Sequence, residues 1–200
     1  MSDTLDIEKN IDEAVTLLTT DRLELIVPDL SYLSVMLDHM ERNKEHFKTS
    51  SPRVEKFYTK AFWEQRLEQI PEDFKQKRSL YLILQKKNSA KNIIGSLCFD
   101  NIVRGPFHAC YLGYRMDKDY VRDGYMTEAL SEAIKYAQNE LKIHRIMANY
   151  RPENTASGKV LQKLGFTIEG YAKKYLFLDG EWQDHILTSL TNDAIESITI

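Results

Sequence analysis

The sequence predicts an α+β fold, a layer of mixed strands with helices packed on it. Strand-like and helix-like segments follow one another in the order β-α-α-β-β-β-α-β-α-β-β. Short turns rich in Gly, Pro and Asn separate the strands of the middle third. The segment from Gly124 to Gln138 keeps its apolar residues on one stripe, as a helix lying on a sheet must. A length of 200 residues suits a single domain.

Taken in order, residues 1–18 read as a helical lead-in. Leu23 to Val27 alternates as a strand and closes at Pro28-Asp29. Asp29 caps a helix bearing Leu30, Leu33, Met36, Leu37 and Met40 at helical spacing. Ser51-Pro52-Arg53 breaks the chain. A second helix runs through Phe57, Phe62, Trp63, Leu67 and Ile70 and stops near Pro71, because a proline lacks the amide a helix interior needs. Leu80 to Leu84 is a strand, residues 88–92 a polar turn, and Ile93 to Val103 the next strand, with Gly95 as its bulge candidate. Arg104-Gly105-Pro106 turns the chain into Ala109 to Met116, apolar or aromatic on both faces and therefore central. After the Gly124 helix come a strand from Arg145 to Tyr150 and a short helix from Ala156 to Leu164, ended by Gly165. Two strands, Thr167 to Leu178 and Trp182 to Leu190, meet at an Asp179-Gly180 hairpin turn.

Composition excludes several function classes. The chain is 42% hydrophobic and 28% charged, with a formal net charge of −3, so bulk charge offers no basic surface for a phosphate backbone and no direct nucleic-acid binding is indicated. Residues 1–10 carry Asp3, Asp6 and Glu8 instead of a basic start and an apolar run, and no apolar stretch approaches the roughly 20 residues that span a bilayer. A cytoplasmic, soluble protein is expected. Cys98 and Cys110 sit in apolar strand-like runs and read as buried reduced thiols. The five histidines share no metal-ligand spacing with each other or with the cysteines, so no metal is expected.

The sharpest local signal is the strand–loop–helix from Tyr111 to Gln138. At a helix start, unpaired backbone N–H groups and the positive end of the helix dipole face outward together. That combination binds anions, and Gly124 lets a phosphate approach the backbone closely. One glycine alone is a weak signal, and on spacing alone a plain connection is the better reading; it makes neither a Walker loop nor a dinucleotide fingerprint.

Longer motifs decide between these. Val121 to Ala129 (VRDGYMTEA) resembles the coenzyme A loop of the GNAT acetyltransferases, Gln/Arg-x-x-Gly-x-Gly/Ala. Asn154-Thr155-Ala156-Ser157 followed by Leu164-Gly165-Phe166 resembles the family's Asn-bearing helix and its end. FHACYLGY (107–114), HRIMANY (144–150), EGYA (169–172) and DGEWQDHILTSL (179–190) are similar to the branch that acetylates the N-terminal alanine of a small-subunit ribosomal protein. The resemblance covers roughly residues 19–192, leaving 1–18 as lead-in and 193–200 as a C-terminal tail. Two positions depart from the motif, Val121 in place of Gln/Arg and Met126 in place of Gly/Ala. Backbone donors do not depend on side-chain identity, so a pyrophosphate site survives both.

The resemblance implies a GNAT fold: a central mixed, mostly antiparallel sheet flanked by helices and splayed between its central strands after Asn149. It implies acetyl-CoA as co-substrate and a ribosomal protein N-terminus, carried by the small ribosomal subunit, as partner. Backbone groups near Met116 and Asp117 would pair with the pantetheine arm like an added strand. Arg122, Asp123, Gly124, Tyr125, Met126 and Thr127 would cradle the pyrophosphate, with Arg122 either adding a charge-assisted contact or standing in solvent. Asn154 would hold the pantetheine amide, or cap its helix, or both.

Acetyl transfer requires a neutral amine and a leaving thiolate that gains a proton. Where many GNAT enzymes place a tyrosine to protonate that thiolate, this chain has Leu161; Ser157, one turn earlier on the same face, is the substitute, with Tyr150 a second candidate. No general base stands out. Glu24, Glu169 and Asp184 are the carboxylates in suitable elements. An α-amine with a pKa near 8 costs about 1.4 kcal/mol to neutralise at pH 7, whereas a lysine near 10.4 costs about 4.6 kcal/mol. A site without an evident base therefore suits an α-amine. Phe47, Phe57, Phe62 and Trp63 are core residues or groove lining for the acceptor, and Glu41 and Glu45 either meet a cationic N-terminus or form a solvated face. Acetylation of a small amine and a non-enzymatic role in ribosome assembly are the competing readings.

Overall fold

The computed structural model describes residues 13–48, 55–89, 91–178 and 180–195. Eight strands form one sheet: β1 (Val15–Thr19), β2 (Leu23–Val27), β3 (Leu80–Lys86), β4 (Gly95–Val103), β5 (Ala109–Met116), β6 (Arg145–Met147), β7 (Thr167–Leu178) and β8 (Glu181–Thr191). Their order across the sheet is β1-β2-β3-β4-β5-β6-β8-β7. Only the β5–β6 pair is parallel; the other pairs are antiparallel. The helices are α1 (Leu33–Arg42), α2 (Lys44–Phe47), α3 (Lys60–Lys75), α4 (Tyr125–Asn139) and α5 (Thr155–Lys163). The α+β architecture expected from the sequence is present, and β5 is central.

The core lies where the helices meet the sheet. Helix α4 buries Met126, Ala129, Leu130, Ala133, Ile134 and Ala137, the stripe its sequence spacing predicts, and packs on β1, β2 and β4. Its alanines bring the helix backbone close to the sheet. No helix among the described residues is long and apolar enough to cross a membrane.

Five local expectations are corrected. Residues up to 18 do not form a helix where the structure describes them: Val15–Thr19 is a strand on β2 with Leu17 in the core, while residues 1–12 lie outside the described residues. Asp29 caps a 3-10 turn, Leu30–Tyr32, accepting from the Ser31 amide at 3.0 Å, and α1 starts after it. Helix α3 continues through Pro71. A proline inside a helix costs about 3 kcal/mol, but Ile70 and Phe74 on either side are each 1% exposed, and burial of two such side chains contributes about 1.5–3 kcal/mol apiece. Gly95 is no bulge, since it pairs in regular register with Leu84 and Met116; the irregularity falls between Asp100 and Val103, where Asn101 has a φ of 52°. A methyl at Gly95 would sit 2.9 Å from the Arg115 carbonyl oxygen, which is why this tightly flanked position is a glycine. Strand β6 ends at Met147, not Tyr150. The break at 51–53, the tail from 196 and Asp179 of the last turn lie outside the described residues.

Candidate active site

The sheet opens at its centre. Strand β5 pairs with β6 only from Ala109 to Tyr111, opposite Arg145 to Met147. Beyond that, β5 stays with β4 as far as Met116. The chain after β6 follows β8 instead: the Ala148 amide donates to Thr188, and Tyr150 and Ile186 exchange backbone hydrogen bonds at 3.1 and 2.8 Å. The splay therefore begins after Met147, two residues earlier than Asn149. From Leu112 to Met116 the β6-facing edge of β5 has no strand partner. Such an edge offers main-chain groups to an extended ligand bearing amides.

At the far end of β5, a loop leads into α4 with two residues in the left-handed region, Arg122 (φ 71°) and Gly124 (φ 80°). Gly124 is the N-cap and has no capping side chain, which leaves the first amides of α4 for another acceptor. The loop is braced from the turn between β1 and β2, which the sequence alone did not single out. Arg22 donates from Nε to Glu128 at 2.6 Å and from Nη1 to the Asp123 carbonyl at 3.1 Å, and its guanidinium lies 4.2 Å from the centre of the Tyr125 ring. Glu128, in the first turn of α4, also accepts from the Thr20 hydroxyl at 2.5 Å and the Arg22 amide at 3.0 Å. Burial works to raise the Glu128 carboxyl, but these donors outweigh it and hold it below the usual range. No sequence signal links positions 22 and 128; only the fold brings them together.

Asp117 has a task inside the fold. It is fully buried, its amide donates to Ile94, and its carboxylate accepts from Arg42 and Asn43, each at 2.8 Å, and from the Asp119 amide. Its amide is thus committed within the protein, in contrast to the expected pairing with a ligand. Burial raises its carboxyl, and the hydrogen bonds from His39, Asp119, Asn43 and Arg42 overcome that and hold it far below the usual range. The network ties α1 to the start of the loop.

On the other side of the gap, Asn154 caps α5 by accepting from the Ser157 amide at 3.1 Å. Ser157 Oγ lies 2.7 Å from the hydroxyl of Tyr114 on β5. The gap is therefore crossed by a serine–tyrosine pair, and the sequence did not single out the tyrosine although it closes the segment FHACYLGY (107–114). Burial pushes the Tyr114 phenol up to about 12, against a smaller opposing effect of Ser157, so it holds its proton at neutral pH. The hydroxyl end of Tyr150 packs against α5; a methyl on Gly158 would come within 2.9 Å of its hydroxyl. Leu161 is buried and forms apolar wall.

A cavity of about 390 Å³ occupies the splay, and Tyr114, Tyr150, Asn154, Ser157 and Leu161 line it. Its outer wall holds Phe57, Phe62 and Trp63, as the groove reading allowed, together with Arg66, Tyr81 and Asp100. Phe47 is core and not wall. Glu41 and Glu45 are exposed and do not line it, and neither do the three carboxylates considered as bases. Glu24 pairs in register with Gln85, Glu169 is held by Arg145, and Asp184 accepts from the Tyr171 hydroxyl and the Lys174 amide.

A sheet splayed between its two central strands, with a glycine-capped helix at one end of the gap, defines an acyl-CoA-dependent transferase, and the GNAT acetyltransferase domain matches residues 35–167. The chain belongs to that family and is an acetyltransferase; its members use acetyl-CoA. Among its relatives, the [ribosomal protein uS5]-alanine N-acetyltransferase of Escherichia coli strain K12 is 45% identical over 175 residues, 87% of this chain and 90% of that one. The crystal structure of a ribosomal-protein-S5-alanine acetyltransferase from Vibrio fischeri aligns with a TM-score of 0.84 at 37% identity, covering 90% of this chain and 98% of that one. Mycobacterium smegmatis RimJ in complex with CoA-disulfide has the same fold, with a TM-score of 0.79 at 23% identity over 88% and 84% of the two chains.

Proposed function

We propose that this protein transfers the acetyl group of acetyl-CoA to the N-terminal α-amine of an alanine on ribosomal protein uS5. The observation that carries the reading is the 45% identity to the Escherichia coli uS5-alanine enzyme across 87% of the chain. The site is chemically suited to it. The α4 start with Gly124 takes the pyrophosphate, and residues 122–127 contribute amides more than side chains. The pantetheine arm lies along the free edge of β5 toward Asn154, with Met116 nearest the loop. This brings the thioester to the Ser157–Tyr114 pair.

In the reaction the amine nitrogen bonds to the acetyl carbon and the carbon–sulfur bond breaks. Ser157 donates a proton to the leaving thiolate, and the Tyr114 phenol behind it orients the serine and resupplies the proton. Tyr150 shapes the wall against α5. The open aromatic side at Phe57 and Phe62 admits a flexible N-terminus, and a slim first residue allows the amine to reach the thioester in attacking geometry. The substrate places the enzyme in the cytoplasm, at newly made uS5 or at the small ribosomal subunit. Mass spectrometry of ribosomal proteins from a deletion strain tests the reading: uS5 is expected to lose its N-terminal acetyl group. A fully acetylated uS5 in that strain would overturn it.

A further inference from the structure

We propose that His185, on β8, accepts the proton of the substrate's α-ammonium inside the cavity, directly or through one water. The proposal rests on the N-terminal acetyltransferase reading and supplies the base that reading lacks. Among the described residues lining the cavity there is one imidazole, His185, and one carboxylate, Asp100. Asp100 is half exposed and stands 4.0 Å from the Arg66 guanidinium. His185 is 3% exposed. The remaining charged groups of the wall are Arg66, Arg115 and Arg151. A wall so cationic disfavours an ammonium and favours the neutral amine, provided something removes the proton.

The ring is held in the tautomer a base requires. His185 Nδ1 lies 3.1 Å from the Gln183 backbone carbonyl. A carbonyl only accepts, so Nδ1 carries the hydrogen and Nε2 keeps its lone pair. The ring also packs on Tyr175, with centroids 5.5 Å apart, and the Tyr175 hydroxyl is fixed by Asn149 Nδ2 at 3.1 Å. The next residue, Ile186, exchanges two backbone hydrogen bonds with Tyr150, which anchors His185 to the cavity wall. Tyr175 on β7 is the ring in contact with it, Tyr111 on β5 stands beside Tyr175, and Tyr150 and Arg151 beyond β6 line the same cavity. Its neighbour Asp184 is tied to Tyr171 and Lys174.

The proton count closes. The ammonium gives one proton to His185 Nε2, which releases it to solvent. Ser157 gives one to the thiolate and is reprotonated through Tyr114, and the second proton, shed by the nitrogen once it is bonded to the acetyl carbon, restores that pair, so one proton in total leaves to solvent.

The test measures kcat/KM for His185→Ala and His185→Gln between pH 7 and 9, with acetyl-CoA and a peptide beginning with alanine. At pH 7 a loss of roughly a hundredfold is expected. The deficit should shrink about tenfold toward pH 9, because the amine, with a pKa near 8, then arrives neutral. Added imidazole should restore part of the rate in His185→Ala, and acetyl-CoA affinity by calorimetry should be unchanged in both variants. The isosteric glutamine variant keeps the test valid if the alanine variant folds poorly. A deficit constant with pH and insensitive to imidazole, or a pH-dependent deficit in Asp100→Asn instead, overturns the assignment. Wild-type protein inactive on the peptide, with acetyl-CoA bound normally, overturns the acceptor reading; wild-type activity with unimpaired His185 variants overturns this inference alone.

Discussion

The two ends of the splay are built from different materials. The loop end is main chain: two left-handed residues, a glycine cap, and a brace of Arg22, Glu128 and Asp117 that fixes the backbone from behind. The open end is side chain: half-buried Phe57 and Phe62, Arg66 and Asp100. A site made of amides tolerates substitution of its own side chains as long as the backbone path holds. A site made of side chains changes its preference with each residue.

The proposed reacting centre, the Ser157–Tyr114 pair, lies between these ends, and there the largest effect is expected. If Ser157 protonates the thiolate, Ser157→Ala should lower kcat by about a hundredfold with little change in acetyl-CoA affinity. Because Tyr114 sits 2.7 Å from the serine, Tyr114→Phe should lower kcat by a smaller factor. A wild-type kcat in Ser157→Ala at saturating substrate would remove the serine from the mechanism and leave Tyr114 to act alone.

At the loop end, Gly124→Val puts a β-branched residue at φ 80°. Strain of this kind costs about 1–3 kcal/mol, enough to move the loop and weaken acetyl-CoA binding roughly tenfold to a hundredfold. Calorimetric titration measures it; full affinity would separate the pyrophosphate site from this loop.

How much of this was legible in the sequence follows the same division. The order of elements, the stripe on α4 and the glycine at its start could be read because helix spacing and turn chemistry are local. Pro71 misled because tertiary burial of Ile70 and Phe74 outweighs a local rule. Val15–Thr19 misled because a short edge strand next to a polar terminus leaves almost no pattern. Arg22 with Glu128, and Tyr114 with Ser157, join residues over forty positions apart, and no spacing rule reaches that far. Asn154 showed its capping role in sequence, since a cap acts three residues away.

The brace behind the loop should show itself through pH. Burial holds the His39 imidazole below its ordinary value, against a smaller opposing pull from Asp117. The folded protein therefore keeps it neutral while the unfolded chain protonates it below about pH 6.5. Stability from this site is complete above that pH and is lost as pH falls toward the folded value, by at most about 1.4 kcal/mol per pH unit. Asp117 acts lower down: its folded carboxyl is depressed, so its contribution is present above about pH 4 and lost below. Urea unfolding of wild type at pH 7.5, 6 and 5 should show the first slope, and His39→Gln should flatten it. Equal slopes in both would show that the imidazole is not neutral in the fold.

The smallest effect sharpens the contrast between the two ends. Asp123 stands in the middle of the loop, and its carbonyl, not its carboxylate, receives the Arg22 guanidinium at 3.1 Å. Alanine keeps that carbonyl, the amide and an ordinary backbone conformation. Asp123→Ala should therefore leave acetyl-CoA affinity within about twofold of wild type, or raise it slightly by removing a negative charge beside a pyrophosphate. The departures at Val121 and Met126 fit the same proposal, since neither side chain would be needed where amides bind the pyrophosphate. A large loss of affinity in Asp123→Ala would mean that side chains carry the loop after all, and the distinction between a main-chain end and a side-chain end would fall with it.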